Sequence, residues 1–133
     1  MLARLREAHR KLLEGIQELE EATKESAPDP SKLATIRWRL SRASGQRRRL
    51  VDEACAQLLE NASPGAAQQM STLRENSGEM LAATSKHVGH WTIEQVVADW
   101  EGYRTASAAM RTAMRARIAA EQAILYPLLG GAA

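Results

Sequence analysis

At 133 residues, 44% hydrophobic and 26% charged, the chain has the size and balance of one globular domain spanning residues 1–133 rather than of a disordered protein. Eighteen Lys and Arg against 16 Asp and Glu leave a formal charge of +2, too little to point to a nucleic-acid partner. The single Cys55 excludes an internal disulfide.

Cys55, with neither a leader-like segment nor an apolar run of membrane-spanning length, predicts a cytoplasmic protein with no membrane attachment. Aromatic residues are only 4% and Phe is absent, so Leu, Ile, Val, Met and Ala must fill the core. Ala and Leu favour helix, and most Gly and Pro fall at the expected helix ends, so an all-α fold is expected.

The first helix is predicted from about Leu2 to Lys24, with Leu2, Leu5, His9, Leu12, Ile16 and Leu19 as its inward seam. Glu25 to Ser31 is a turn in which Asp29 caps the next helix and Pro30 takes its first position. The second helix extends from Pro30 to about Glu60, with Leu33, Ile36, Leu40, Ala43, Leu50, Ala54 and Leu58 facing inward. Ser63 and Pro64 open a third helix, whose apolar face of Met70, Leu73, Met80 and Leu81 fades near His87. Gly89-His90-Trp91 is expected to break the chain, and Thr92 with Gln95 opens a short helical stretch through Trp100. A kink near Asp99 to Gly102 leads into the last long helix, predicted to end before Pro127 and Gly130-Gly131. Three short connections between four long helices favour an up-down-up-down four-helix bundle.

The seam of the last helix is interrupted. Trp100, Tyr103, Ser107, Met110, Met114, Arg117, Glu121, Ile124 and Leu128 recur in steps of three and four, so Arg117 and Glu121 stand where Leu or Ile is expected. Burying either charge without a partner costs several kcal/mol, roughly. His9 interrupts the first helix in the same way. A core polar network of His9, Glu53, Arg117 and Glu121 is therefore predicted, Glu53 being the further carboxylate on the second helix. Arg117 and Glu121, four residues apart, read either as a partly buried ion pair with snorkelling stems or as a cation standing where a metal would sit. His87 and His90 read as a surface pair, Cys55 as a small buried residue, and Trp91, Trp100 and Tyr103 as packing around the kink. Arg37, Arg39, Arg42, Arg47, Arg48 and Arg49, with Trp38 among them, read first as a solvated face pairing with Glu18, Glu20 and Glu21. A polyanion or nucleic-acid surface is the lesser reading of the same face.

The segment Arg117-Ile118-Ala119-Ala120-Glu121-Gln122-Ala123-Ile124-Leu125-Tyr126-Pro127 resembles the terminal motif of hemerythrin-like (HHE cation-binding) domains, in which a His precedes the Glu by four residues and Leu-Tyr-Pro follows. Leu5 to Leu13, around His9, looks like that family's first His motif. Leu33 to Leu59 and the Trp91, Asp99-Trp100, Tyr103 pattern also sit where the family has comparable features. The resemblance implies a helical bundle holding two irons for oxygen binding. This chain departs from the pattern at the ligands: Arg117 stands at a His position, and on the second helix neither Arg49 before Glu53 nor Gln46 before Leu50 supplies a His. The expectation is a degenerate hemerythrin-like domain with no cofactor and no enzymatic activity, serving in binding, regulation or structure. Its partner would be an unidentified protein or small molecule, and self-association into a homodimer is open. The alternative is a reduced iron site built from His9, Glu53 and Glu121 and used in sensing or metal handling.

Overall fold

The computed structural model describes residues 1–130, and these fold entirely into helices and connections with no strand among them. The helices are α1 (Leu2–Ala22), α2 (Pro30–Leu59), α3 (Pro64–His90), α4 (Ile93–Ala98) and α5 (Trp100–Leu129). Side-chain caps set the starts of four of them. Asp29 accepts from Lys32 N at 3.1 Å, Ser63 from Ala66 N at 3.1 Å, Thr92 from Gln95 N at 3.2 Å and Asp99 from Gly102 N at 3.0 Å. Each such cap stabilises a helix by about 1 kcal/mol.

Several boundaries differ from the sequence expectation. Gly89 does not break α3, which continues through His90 and ends with Trp91 as its cap. Pro127 does not stop α5 either: it lies in the last turn, where its missing N–H forfeits only one terminal hydrogen bond, and the helix runs on to Leu129. Gly130 then caps α5, and Gly131 lies outside the described residues.

Contacts between the long helices run in opposite senses. Arg4 meets Glu53 and Glu18 meets Arg39 between α1 and α2. His9 meets Tyr126 and Glu20 meets Arg115 between α1 and α5. Leu73 meets Arg117 and Thr84 meets Met110 between α3 and α5. At the α4–α5 junction Trp100 Nε1 donates to Glu25 O at 3.0 Å, tying that corner to the α1–α2 turn.

Two apolar clusters result. One joins Leu12, Ile16, Leu33, Ile36, Tyr103 and Ile118, with Trp91 and Trp100 at its edge. The other joins Leu5, Leu50, Val51, Met70, Leu73 and Leu125. Full burial of each large aliphatic side chain stabilises the fold by about 1.5–3 kcal/mol. Helix α3 contributes only Met70 and Leu73 as buried residues; Met80 is half-buried and Leu81 is exposed, contrary to its expected inward position.

Candidate functional site

The two apolar clusters are divided at one level of the fold. Ile118 belongs to the first and Leu125 to the second, with Glu121 one turn from each; Leu12 and Leu5 flank His9 in the same way. Arg47 occupies the corresponding gap on α2, between Leu40 and Leu50. All four residues of this level, His9, Arg47, Arg117 and Glu121, are buried, and Glu121 is 0% exposed.

Both carboxylate oxygens of Glu121 are engaged. Oε1 accepts from His9 Nε2 at 2.8 Å, and Oε2 accepts from Arg47 Nη1 at 2.5 Å and from Arg117 Nε at 2.8 Å. A carboxylate only accepts, so His9 carries its proton on Nε2. In the neutral imidazole Nδ1 is then the acceptor, and the Tyr126 hydroxyl at 2.6 Å donates to it. Arg117 Nη1 donates to Leu73 O at 2.8 Å, so the same side chain fastens α3 to α5. Arg47 Nε is buried without a partner. A cavity of about 20 Å³ adjoins Arg47 and Arg117, beside Ser44 and Ser77. That is space enough for one water molecule.

The electrostatics are those of a fixed cation pair around one anion. Burial pushes the Arg47 guanidinium below its ordinary value, Glu121 opposes that shift, and Arg117 adds to it. Guanidinium nevertheless stays charged in proteins, so the cluster holds two positive charges against one negative.

Of the four residues expected in the network, the fold brings together His9, Arg117 and Glu121. Glu53 stays out: it is exposed and lies 3.5 Å from Arg4. The reason is helical geometry, since six residues beyond Arg47 the side chain has turned about 120° away from the cluster. Arg47 takes the place assigned to Glu53, and the pattern of α2 held the signal. The inward run steps from Ala43 to Leu50 across seven residues, and Arg47 is the missing step between them. Tyr126 is the other participant that the seam did not mark.

These residues do not fit the metal pair that the family resemblance implies. Both oxygens of Glu121 already accept hydrogen bonds, His9 presents a donor rather than a lone pair to it, and two cations face the carboxylate. His9, Glu53 and Glu121 do not converge, so the alternative ligand set is not assembled. Among the described residues no three His, Cys, Asp or Glu side chains gather around a common point.

Outside the cluster, His87 and His90 are not a surface pair. His87 is half-buried and stacks on Tyr103 with ring centroids 6.1 Å apart, while His90 is exposed against the edge of Trp91. Among the described residues the Arg face of α2 pairs with α1 only through Arg39 and Glu18, at 3.2 Å. Glu20 is taken by Arg115 and Glu21 by Lys24. Trp38 is 61% exposed with the Arg42 guanidinium 4.9 Å above its ring. Cys55 is fully buried, and desolvation pushes its thiol up from the ordinary value, which favours the protonated form. No helix among the described residues is long and apolar enough to cross a membrane. Compared with protein-family models, with curated proteins and with solved structures, the chain finds no match.

Proposed function

We propose that this chain is a single degenerate hemerythrin-like domain, an up-down-up-down four-helix bundle without a functional di-iron site, whose role is non-enzymatic: binding, regulation or structure. The observation that carries the reading is the engagement of both Glu121 oxygens by Arg47, Arg117 and His9. In the family pattern Glu121 would be a metal ligand, with a His four residues before it. Here that position is Arg117, and the guanidinium supplies the positive charge that a metal would bring.

The second helix fits the same reading with a register of Arg47 and Val51. These residues are four apart and both buried, where the family carries His followed by Glu. A guanidinium and an isopropyl group replace two ligands, and neither can coordinate a cation. The opposite-sense pairing of the long helices supports the bundle topology.

The test is metal content. Protein expressed and purified in iron-replete conditions should carry far less than one iron per chain, and prolonged EDTA treatment should leave its melting temperature unchanged. Near-stoichiometric iron, or a large loss of thermal stability on chelation, would overturn the reading.

A further inference from the structure

A cleft of about 500 Å³ is walled by α2, α3 and α5, and it shares Ser44, Arg48, Leu81, Thr84 and Met114 with the small cavity beside Arg47 and Arg117. The size of the cleft falls in the range of small-molecule pockets, roughly 300–1,000 Å³. None of His9, Arg47, Arg117 and Glu121 lines it. Its charged groups are of one sign: Arg37 and Arg48 from α2, Arg111 from α5 and the titratable His87 from α3, with no Asp or Glu among the lining residues.

Arg111 is the deep member. It is 7% exposed, its Nη1 donates to Ser107 Oγ at 2.6 Å, and its Nε is buried with no hydrogen-bond partner. Among the described residues no carboxylate lies within ion-pair distance of Arg37, Arg48 or Arg111. Glu20 is the acidic group that acts on Arg111 through space, but its oxygens are held by Arg115 at 3.2 and 3.3 Å. A guanidinium buried without a counter-ion is costly, and an anion reaching it would remove that cost. Its planar fork matches a carboxylate.

The rest of the cleft is open, and apolar side chains alternate there with the hydroxyls of Ser41, Ser44, Thr84 and Ser85. Leu81 and Val88 on α3 are 42% and 51% exposed, and Met110 and Met114 on α5 face them with adaptable side chains. At one end the Tyr103 ring is fixed by the Arg37 guanidinium, 5.7 Å from its centroid, and by the stacked His87. Arg37 and Arg48 are eleven residues apart, about 16 Å along α2, so the cations are spread along the cleft rather than focused as for a compact polyanion.

We propose that this cleft binds an aliphatic carboxylate, with its head group on Arg111 and its hydrocarbon body along Leu81, Val88, Met110 and Met114. The argument uses none of the residues that carry the hemerythrin-like reading, so failure of one leaves the other standing.

Titration calorimetry with decanoate, below the concentration at which it self-associates, tests this on the full chain, with decyl phosphate and decanol as comparison probes. Saturable one-to-one binding of decanoate is expected, with decyl phosphate no tighter and decanol weaker by at least about tenfold, the discrimination of a charge-assisted hydrogen bond. Arg111→Met should weaken decanoate on the order of 10- to 100-fold while leaving decanol unchanged. Leu81→Glu, a change at an exposed position, should weaken decanoate by a similar factor by setting a like charge at the mouth. No decanoate binding, equal affinity for decanol, tighter binding of decyl phosphate, or unchanged affinity in folded Arg111→Met or Leu81→Glu protein would each overturn the proposal.

Discussion

The two halves of α3 make different use of one helix. In the first half Met70 and Leu73 are 0% and 2% exposed, and the Leu73 carbonyl receives Arg117 from α5. In the second half Leu81 and Val88 stand 42% and 51% exposed along a cleft whose cations have no carboxylate among its lining residues. Apolar side chains occur in both halves, so hydrophobicity does not decide where α3 closes on its neighbours. The closed half coincides with the level at which a buried carboxylate satisfies two guanidinium groups at once. Packing there is bound to charge pairing, whereas the second half has contacts at Thr84 and His87 but no ion pair to α5, and leaves Leu81 and Val88 accessible.

That contrast is broken or sharpened first at Glu121. Glu121→Ala leaves Arg47 and Arg117 buried without a counter-ion and should destabilise the fold by about 3–5 kcal/mol, read by urea denaturation. Replacing all three charges together, Arg47→Met with Arg117→Met and Glu121→Leu, should recover most of that loss, because a packed apolar layer needs no pairing. A triple variant as unstable as Glu121→Ala would show that the layer is not held by charge compensation.

The next effect compares the halves directly. Leu73→Ala should cost about 2–5 kcal/mol, as for a large-to-small change in a closed core. Leu81→Ala should stay within about 0.5 kcal/mol. Equal losses at the two positions would erase the distinction between the halves.

The smallest effect is a pH dependence from the open half. Burial, reinforced by Arg37 and His90, holds the His87 imidazole below its ordinary value of 6.5. The unfolded chain therefore takes up a proton more readily than the folded one, and stability falls as pH drops through 6.5 until the folded-state imidazole also protonates. His87→Gln should flatten that part of the stability profile between pH 8 and pH 5. An unchanged slope would place its origin elsewhere.

How far the sequence reveals this arrangement varies by residue. His9, Arg117 and Glu121 are legible because a charge inside an apolar seam demands a partner, whatever the fold. Arg47 is concealed by company: it stands among Arg37, Arg39, Arg42, Arg48 and Arg49, which together read as one solvated face, although its own step places it inward. Glu53 attracts attention as a carboxylate near the right level, but its angle around α2 turns it to solvent. Arg111 escapes notice because Met110 and Met114 complete a plausible apolar seam. The face of α5 that is buried instead runs through Arg111, Ile118 and Leu125, and both methionines are half-buried. Helix starts follow from local capping chemistry, whereas the rotation of a long helix about its axis depends on neighbours that no local pattern encodes.

The clasp between His9 and Tyr126 joins residues 117 positions apart. During synthesis Arg47 is therefore made long before Glu121, the group that neutralises it. Until α5 is available, a compact fragment of α1 and α2 would have to shelter an unmatched cation, which disfavours premature collapse at that level. Closure of so long a loop is entropically expensive and slow to be rewarded. The last helix thus supplies the one carboxylate on which the charge balance of the earlier helices' shared interior depends.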